Sequence, residues 1–224
     1  MKTPILYSFK RCPYAMRARM ALKLANIMCE IREIKLNNKP DHMVKVSPKG
    51  TVPVLVLEKK IIDESNEIIE WVLEKVDIFK GNLNKYEINL SENLIKIFDT
   101  KFKFHLDRYK YANRYDDITQ KDGHRIECMK ILNDLDKIIS GYEWIFGKNI
   151  NKLDISILPF IRQFRIADPK WFDSQLSIKN IHRLLNNFLE SKLLHETMIN
   201  YQVWEEGSLP VFFPIAGSSN YKEL

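Results

Sequence analysis

The first part of the chain alternates short apolar runs with amphipathic segments. Ile-Leu-Tyr at residues 5–7 predicts a strand, and after Pro13 apolar side chains recur every three or four positions, which predicts a helix. The apolar face of this helix is predicted to carry Ala15, Ala18, Leu22 and Ala25. Its polar face is predicted to carry Arg17, Arg19, Lys23 and Asn26. The loop that joins the strand to the helix contains Cys12.

The same region predicts three further strands and two further helices. Apolar stretches at residues 29–36, 52–57 and 59–63 predict the strands, and the last two form a hairpin. A turn at residues 39–43 leads into a short helix, and a new apolar face follows Ser65, which is an N-cap candidate. The order β-α-β-α-β-β-α is the thioredoxin-like pattern of an α/β domain.

Strand signals largely disappear in the rest of the chain. Residues 77–88 are predicted to be a linker between a thioredoxin-like domain, residues 1–77, and an all-α domain, residues 88–224. Helical spacing of apolar residues predicts helices over residues 90–109, 126–139, 181–189 and 193–199. Gly141 is expected to end the second of these helices. The tail at residues 209–214 is expected to be irregular.

A capping box is predicted at the start of a central helix. Asn151 is followed three residues later by Asp154, so each side chain can reach the backbone N–H of the other. Pro159 is expected to distort that helix, because proline removes one of its hydrogen bonds.

Composition and charge narrow the function classes. The chain has 224 residues and a formal charge of +6, but its 29 acidic residues are interspersed with 35 basic ones, which argues against a nucleic-acid partner. No apolar run of about 18 residues exists, so no membrane helix is predicted. The first apolar run is too short for a secretory signal, so a cytoplasmic location is expected.

Three cysteines, Cys12, Cys29 and Cys128, are too few and too scattered for a disulfide framework. Ala15 stands where a Cys-x-x-Cys pair would have its second thiol, so any redox partner for Cys12 must come from outside. The five histidines are also scattered, and no metal site is predicted. Cys29 and Cys128 lie in apolar patterns and are expected in the core.

Cys12 is predicted at the N-terminus of the first helix, with Pro13 at the first helical position. Unpaired N–H groups and the helix dipole favour a thiolate there, and such sites lower a cysteine pKa from about 8.5 to roughly 3.5–7.5. Arg11, Arg17 and Arg19 are expected to add positive potential near this thiol. The functional interpretation is a nucleophile that is ionised at neutral pH. The alternative is a small buried core residue.

Four stretches together resemble the N-terminal domain of cytosolic glutathione transferases, above all the cysteine-containing, omega-like branch and its bacterial relatives. The stretches are Arg11-Cys12-Pro13-Tyr14-Ala15, Asn38-Lys39-Pro40, Pro48-Lys49-Gly50-Thr51-Val52-Pro53-Val54-Leu55 and Asp63-Glu64-Ser65. The resemblance covers most of residues 1–77. It implies glutathione as co-substrate, a homodimer, and a co-substrate pocket lined by the helical domain. Candidates for that pocket are Phe102, His105, Arg108, Tyr109 and Tyr111.

The resemblance also implies roles for single residues. Cys12 would face the glutathione sulfur, and Val52, before a cis Pro53, would pair its backbone with the cysteinyl part of the ligand. Tyr7 is interpreted as core packing or packing near the site, although other branches of the family use a tyrosine or a serine, here Ser8, to activate glutathione. Without a ligand, Pro53 would merely fix a turn.

Three polar residues would hold the ends of the tripeptide. Glu64 would pair with the γ-glutamyl ammonium, Ser65 and the helix start would take the γ-glutamyl carboxylate, and Lys39 would neutralise the glycyl carboxylate. The alternative is that Ser65 merely caps a helix and that Glu64 and Lys39 are solvated surface charges.

The function that follows is a glutathione-dependent thiol transferase or reductase in which Cys12 forms a mixed disulfide with glutathione. Disulfides, glutathione conjugates and small electrophiles are the expected substrates. Two alternatives stay open. One is conjugation of glutathione to electrophiles, and the other is a non-catalytic interaction scaffold that resembles stringent starvation proteins.

Overall fold

The computed structural model describes residues 2–81, 83–116, 120–139 and 141–215. The chain forms two compact units. The first comprises Met1–Ile78 with Lys192–Leu224, and the second comprises Phe79–Ser191.

The first unit is a mixed sheet with helices. Its strands are β1 (Ile5–Ser8), β2 (Cys29–Glu33), β3 (Val54–Val56), β4 (Ile61–Ile62) and β5 (Phe212–Phe213). Its helices are α1 (Pro13–Leu24), α2 (Asp41–Val46), α3 (Ser65–Leu73) and α10 (Lys192–Thr197). The strand order is β4-β3-β1-β2-β5; β1 and β2 are parallel and the other pairs are antiparallel. The predicted order β-α-β-α-β-β-α and the thioredoxin-like class are confirmed.

Helix α1 is buried on nearly every side. Ala15, Ala18 and Leu22 are fully buried, as predicted from their spacing. The predicted polar face is not exposed at Arg17 and Arg19, because their side chains are 0% and 1% exposed. Both α3 and α10 pack against α1, so its polar face also lies inside the unit.

The C-terminal segment packs with the first unit. Phe212 and Phe213 pair with β2, so the expectation of an irregular tail is wrong at these positions. The division into residues 1–77 and 88–224 stays a prediction. The structure differs from it in that α10 and β5 pack against α1 and β2 rather than with the helical unit. Residues 1, 117–119, 140 and 216–224 of the predicted domains, and residue 82 of the predicted linker, lie outside the described part of the chain.

The second unit is helical in its described residues. Its α-helices are α4 (Lys85–Ile97), α5 (Lys103–Lys110), α6 (Lys121–Asp136), α7 (Lys152–Ala167), α8 (Pro169–Asp173) and α9 (Lys179–Glu190). A π-helical turn, Phe98–Phe102, joins α4 to α5, so the long helix predicted over 90–109 forms with a bulge. Phe98 and Phe102 stack at 4.4 Å and are fully buried. Helix α6 ends at Asp136, before the expected stop at Gly141.

The predicted capping box of α7 is present. Asn151 Oδ1 accepts from the amides of Leu153 and Asp154, and Asp154 accepts from the amide of Asn151 at 2.8 Å. Asp154 also accepts from the amide of Ile145 at 3.1 Å, which ties the preceding loop to the helix start. The helix continues through Pro159.

Two findings concern function classes. No helix among the described residues is long and apolar enough to cross a membrane. The same residues contain no group of three histidine, cysteine or acidic side chains arranged to hold a metal ion.

Candidate functional site

Cys12 is the N-cap residue of α1. Its backbone is extended (φ −74°, ψ 123°), and Pro13 occupies the first turn, as predicted. The Cys12 amide donates to the Phe9 carbonyl at 3.0 Å, and the Cys12 carbonyl accepts from Met16 at 3.0 Å. The thiol is half-buried. The first turn contains no acidic residue, so the helix dipole at this point is not opposed from within α1.

The sulfur of Cys12 contacts the segment before β3. The thiol Sγ lies 3.6 Å from the Val52 carbonyl oxygen, and the Val52–Pro53 peptide is cis. Val52 is buried in an apolar cluster against which Cys12 packs. The buried members of that cluster are Tyr7, Ala15, Ile34, Met43, Val52 and Val54. Two distant parts of the sequence, the loop after β1 and the turn before β3, therefore meet at the sulfur.

Ser65 and Glu64 form the start of α3. Glu64 is the N-cap residue and Ser65 the first helical residue, so the prediction of Ser65 as the cap is wrong by one position. Ser65 is buried, and its Oγ lies 3.4 Å from Nη1 of Arg17, which also reaches Asn66 Oδ1 at 3.4 Å. Through Arg17, α1 therefore contacts the N-terminus of α3. A helix start with a neighbouring guanidinium suits a carboxylate.

Glu64 already has a cation beside it. Lys49 Nζ lies 2.6 Å from Glu64 Oε1 and 3.3 Å from Asp63 Oδ1, and Ser47 donates to Asp63 Oδ2 at 2.7 Å. The hydrogen bond from Ser47, with the help of Lys49, lowers the pKa of Asp63 below its ordinary value. The hydrogen bond to Glu64 raises the pKa of Lys49. This ion pair is exposed, so salt screens it.

Lys39 lies beside the loop that leads to Val52. Its Nζ is 3.3 Å from the point that a Cβ on Gly50 would occupy, and Gly50 adopts φ +59°, a conformation that favours glycine. Lys39 is exposed. Any side chain at position 50 would meet the Lys39 ammonium. The absence of a side chain there therefore leaves room for Lys39.

Tyr7 and Ser8 are engaged inside the first unit. The Tyr7 hydroxyl lies 2.7 Å from His42 Nδ1 and accepts from Arg32 Nη1 at 2.7 Å. Burial raises the pKa of Tyr7. The Ser8 hydroxyl accepts from Arg19 at 2.7 Å. Both side chains are fully buried, which agrees with the interpretation of Tyr7 as core or near-site packing.

Cys29 and Cys128 are in the core, as predicted. Both are fully buried, and burial raises the pKa of Cys29 to about 12 and that of Cys128 still further. These two thiols are therefore protonated at neutral pH. Cys12 alone combines accessibility with a helix N-terminus.

The pocket candidates of the helical unit differ in their surroundings. Phe102 is fully buried in the core, and Tyr109 is 3% exposed against Phe164. His105 pairs with His124 at 2.8 Å between their Nδ1 atoms. Tyr111, by contrast, is 37% exposed. Phe102 therefore has a packing role, whereas Tyr111 is exposed and His105 and Arg108 are half-buried.

The sequence predicts positive potential from Arg17 and Arg19 near Cys12, but it does not predict their burial or their partners. They follow the helical spacing of a polar face, and their partners Ser65, Ser8 and Glu33 lie on other elements. The available signal was a cysteine followed by a helix with two arginines, at positions that α3 and α10 cover. It could be recognised only with the tertiary arrangement known.

Comparisons with known proteins agree with the fold. Residues 6–78 match the family described as "Glutathione S-transferase, N-terminal domain". The solved structure of glutathione transferase Omega 3C from Trametes versicolor superimposes with a TM-score of 0.74 at 16% identity, covering 90% of this chain and 91% of that one. A glutathione transferase family member from Pseudomonas fluorescens Pf-5, solved with two glutathione bound, gives 0.73 at 19% identity, covering 88% and 92%.

Curated relatives match over shorter stretches. Omega-2 glutathione S-transferase of Rattus norvegicus is 36% identical over 98 residues, 42% of this chain and 38% of the relative. Probable glutathione S-transferase DHAR2, chloroplastic, of Oryza sativa is 33% identical over 64 residues, 29% of this chain and 24% of the relative. The matches therefore span about a quarter to two fifths of these two relatives.

A third relative is matched over most of its length. The probable glutathione transferase of Aplysia californica is 35% identical over 65 residues, which make up 29% of this chain and 71% of the relative. This relative, the match to the N-terminal domain family and the shared fold all indicate the same family. The chain therefore belongs to the glutathione transferase family, with omega-class members among its relatives.

Proposed function

We propose that this chain is a glutathione-dependent thiol transferase or reductase that works through a mixed disulfide on Cys12. The observation that carries the proposal is the position of this thiol. It is half-exposed at the N-terminus of a twelve-residue helix, with Sγ 3.6 Å from the Val52 carbonyl, while the other two thiols are buried. A thiolate is favoured at such a position.

The remaining site residues suit the two ends of glutathione. The Val52 backbone would pair with the cysteinyl part beside Pro53, and Lys39 would neutralise the glycyl carboxylate. Glu64 would receive the γ-glutamyl ammonium, and the start of α3 at Ser65 its carboxylate. The similar Pseudomonas fluorescens structure, described with two glutathione bound, supports this choice of ligand.

The reaction has two exchange steps. The Cys12 thiolate attacks the glutathione sulfur of a mixed disulfide, a Cys12–glutathione disulfide forms, and the other thiol leaves as a thiolate that takes a proton from water. A second glutathione thiolate then attacks the glutathione sulfur bound to Cys12. Glutathione disulfide leaves and the Cys12 thiolate is regenerated, so glutathione is the reductant of the cycle. No second protein thiol is needed.

The partners and the location belong to the same proposal. The substrates are small disulfides, glutathione conjugates or electrophiles, the active form is a homodimer, and the protein works in the cytoplasm. Relatives named as omega-class and DHAR glutathione S-transferases support an enzyme over a scaffold.

The test is turnover of the mixed disulfide of glutathione and 2-mercaptoethanol, with reduced glutathione in excess. The wild type and Cys128→Ala should turn it over, whereas Cys12→Ser should lose turnover and still bind glutathione resin. Turnover by Cys12→Ser would show that another group carries the chemistry. Conjugating activity with no disulfide turnover would favour the conjugation alternative. Absence of both activities and of resin binding would favour the scaffold.

A further inference from the structure

A buried pair of opposite charges holds the turn that precedes Cys12. Arg19 donates from Nη1 to Ser8 Oγ at 2.7 Å and from Nη2 to the Lys10 carbonyl at 2.7 Å. Glu33 Oε1 accepts from the Lys10 amide at 2.6 Å. The backbone of Lys10 is therefore bound on both its donor and its acceptor side, two residues before Cys12.

The two buried charges of this pair are not fully satisfied by hydrogen bonds. Arg19 is 1% exposed and Glu33 is 7% exposed, and Arg19 Nη1 lies 4.0 Å from Glu33 Oε2. Within the described part of the chain, Arg19 Nε and Glu33 Oε2 have no hydrogen-bond partner. A buried ion pair of this kind contributes little to stability compared with apolar residues of the same volume. The pair does, however, bind both the carbonyl and the amide of Lys10.

The C-terminal segment covers the pair. Met198 Sδ lies 3.9 Å from Arg19 Nη2, the Trp204 amide donates to the Glu33 carbonyl at 2.8 Å, and Asn200 Oδ1 accepts from the Lys10 ammonium. Residues 198–204 thus keep water away from the charges. Electrostatic interactions are stronger where water is excluded.

The charges around Arg19 couple it to the thiol. Burial lowers the pKa of Arg19, and the Glu33 carboxylate acts against that effect, as the Cys12 sulfur does when it is ionised. Burial raises the pKa of Glu33, against the Lys10 amide and the Arg19 charge, and raises the pKa of Tyr201 to about 12. Arginine stays protonated at neutral pH. The Arg19 guanidinium binds the Lys10 carbonyl, two residues before Cys12, and the attraction between a guanidinium and a thiolate is mutual, so the thiolate is stabilised as well.

We propose that Arg19 and Glu33 are positioning residues for Cys12. Together they fix the Lys10 peptide, so that the following turn presents the sulfur at the N-terminus of α1, and the guanidinium favours the ionised sulfur. The use of this sulfur in catalysis rests on the proposed function; the positioning itself does not require glutathione.

The test compares two pairs of charges on the same helix. Arg19→Gln with Glu33→Gln removes both buried charges together, so neither is left without its partner. Lys23→Gln with Glu196→Gln is the matched control, because this largely buried pair, 3.1 Å apart, joins the same helix to α10 rather than to β2. The readout is the rate of alkylation of Cys12 by iodoacetamide in the full chain without glutathione, from about pH 5 to about pH 9.

The first double variant should raise the apparent pKa of Cys12 by about one unit, so that the thiolate fraction below that pKa falls about tenfold. The control should follow the wild-type profile. A folded Arg19→Gln, Glu33→Gln protein with the wild-type profile would overturn the proposal, and circular dichroism establishes the folded state.

If that double variant does not fold, the single variant Arg19→Lys provides the test of the proposal. Lysine keeps the charge but cannot bridge Ser8 and Lys10 as the guanidinium does, so its profile should shift in the same direction by a smaller amount. An unchanged profile overturns the proposal. A wild-type thiol with a low pKa that fails to turn over mixed disulfides would count against the proposed function alone.

Discussion

The Lys49 ammonium lies 2.6 Å from the Glu64 carboxylate, so the acid that the proposed site assigns to the γ-glutamyl amine already pairs with a cation of the chain. A bound ligand ammonium has to share Glu64 with Lys49 or displace it. Asp63 offers Lys49 a second carboxylate at 3.3 Å, which makes displacement feasible.

Replacing Lys49 should therefore strengthen glutathione binding. Lys49→Met leaves Glu64 to the ligand, and because the pair is exposed we expect the Kd to fall by a factor of only about two to five. Calorimetric titration should show the gain at low salt and less of it at high salt. Lys59→Met, at another exposed lysine of this unit, should leave the Kd unchanged. Weaker binding by Lys49→Met would mean that Lys49 itself contacts glutathione.

The start of α3 provides the second prediction. Glu64→Ala with Ser65→Ala removes the proposed partners of the γ-glutamyl group, and the loss of charged hydrogen bonds should weaken retention on glutathione resin about tenfold or more. Glu67→Ala changes an exposed acid in the same first turn and should be retained like the wild type. Equal retention of all three proteins would show that Glu64 and Ser65 do not hold glutathione.

The capping box of α7 gives a prediction about stability. Asp154→Ala leaves the buried amides of Ile145 and Asn151 without their acceptor and should lower the free energy of unfolding by about 2–4 kcal/mol. The box of α4 is exposed, with Asn84 bonded to Glu87, so Glu87→Ala should cost about 0.5–1 kcal/mol. Urea denaturation followed by tryptophan fluorescence measures both values. Similar losses for the two variants would contradict this difference.

Asp154 also predicts a pH dependence. Burial raises its pKa to about 7 in the folded protein, from an ordinary value of 3.8. The folded state therefore binds this proton more tightly than the unfolded state, and stability falls as the pH rises from about 4 to about 7. Asp154→Asn removes this contribution, so the stability of the wild type relative to Asp154→Asn should decrease over that range. A constant difference would contradict the raised pKa.

Patterns among neighbouring residues were sufficient to predict the elements that depend on local spacing. The alternation of strands and helices up to α3, the place of Cys12 before Pro13 and the Asn151–Asp154 box follow from residues close in the chain. The four motifs around Cys12 and Glu64 were sufficient to predict the family.

Long-range contacts could not be predicted from the sequence pattern. Arg17 and Arg19 look like a solvated face until α3 and α10 cover them. Phe212 looks like part of a tail until it pairs with β2, far earlier in the chain. The Lys49–Glu64 pair likewise depends on how two loops meet. In each case the deciding partner is many residues away, and local periodicity carries no information about it.

The central claim is that Cys12 is the sulfur that exchanges with glutathione. The direct measurement is mass spectrometry of the intact protein and its peptides after incubation with glutathione disulfide at neutral pH. We predict one added glutathione, on Cys12, that reduced glutathione removes, with Cys29 and Cys128 unmodified because both are buried. A protein that stays unmodified at Cys12, or that carries glutathione only on another cysteine, would contradict the account.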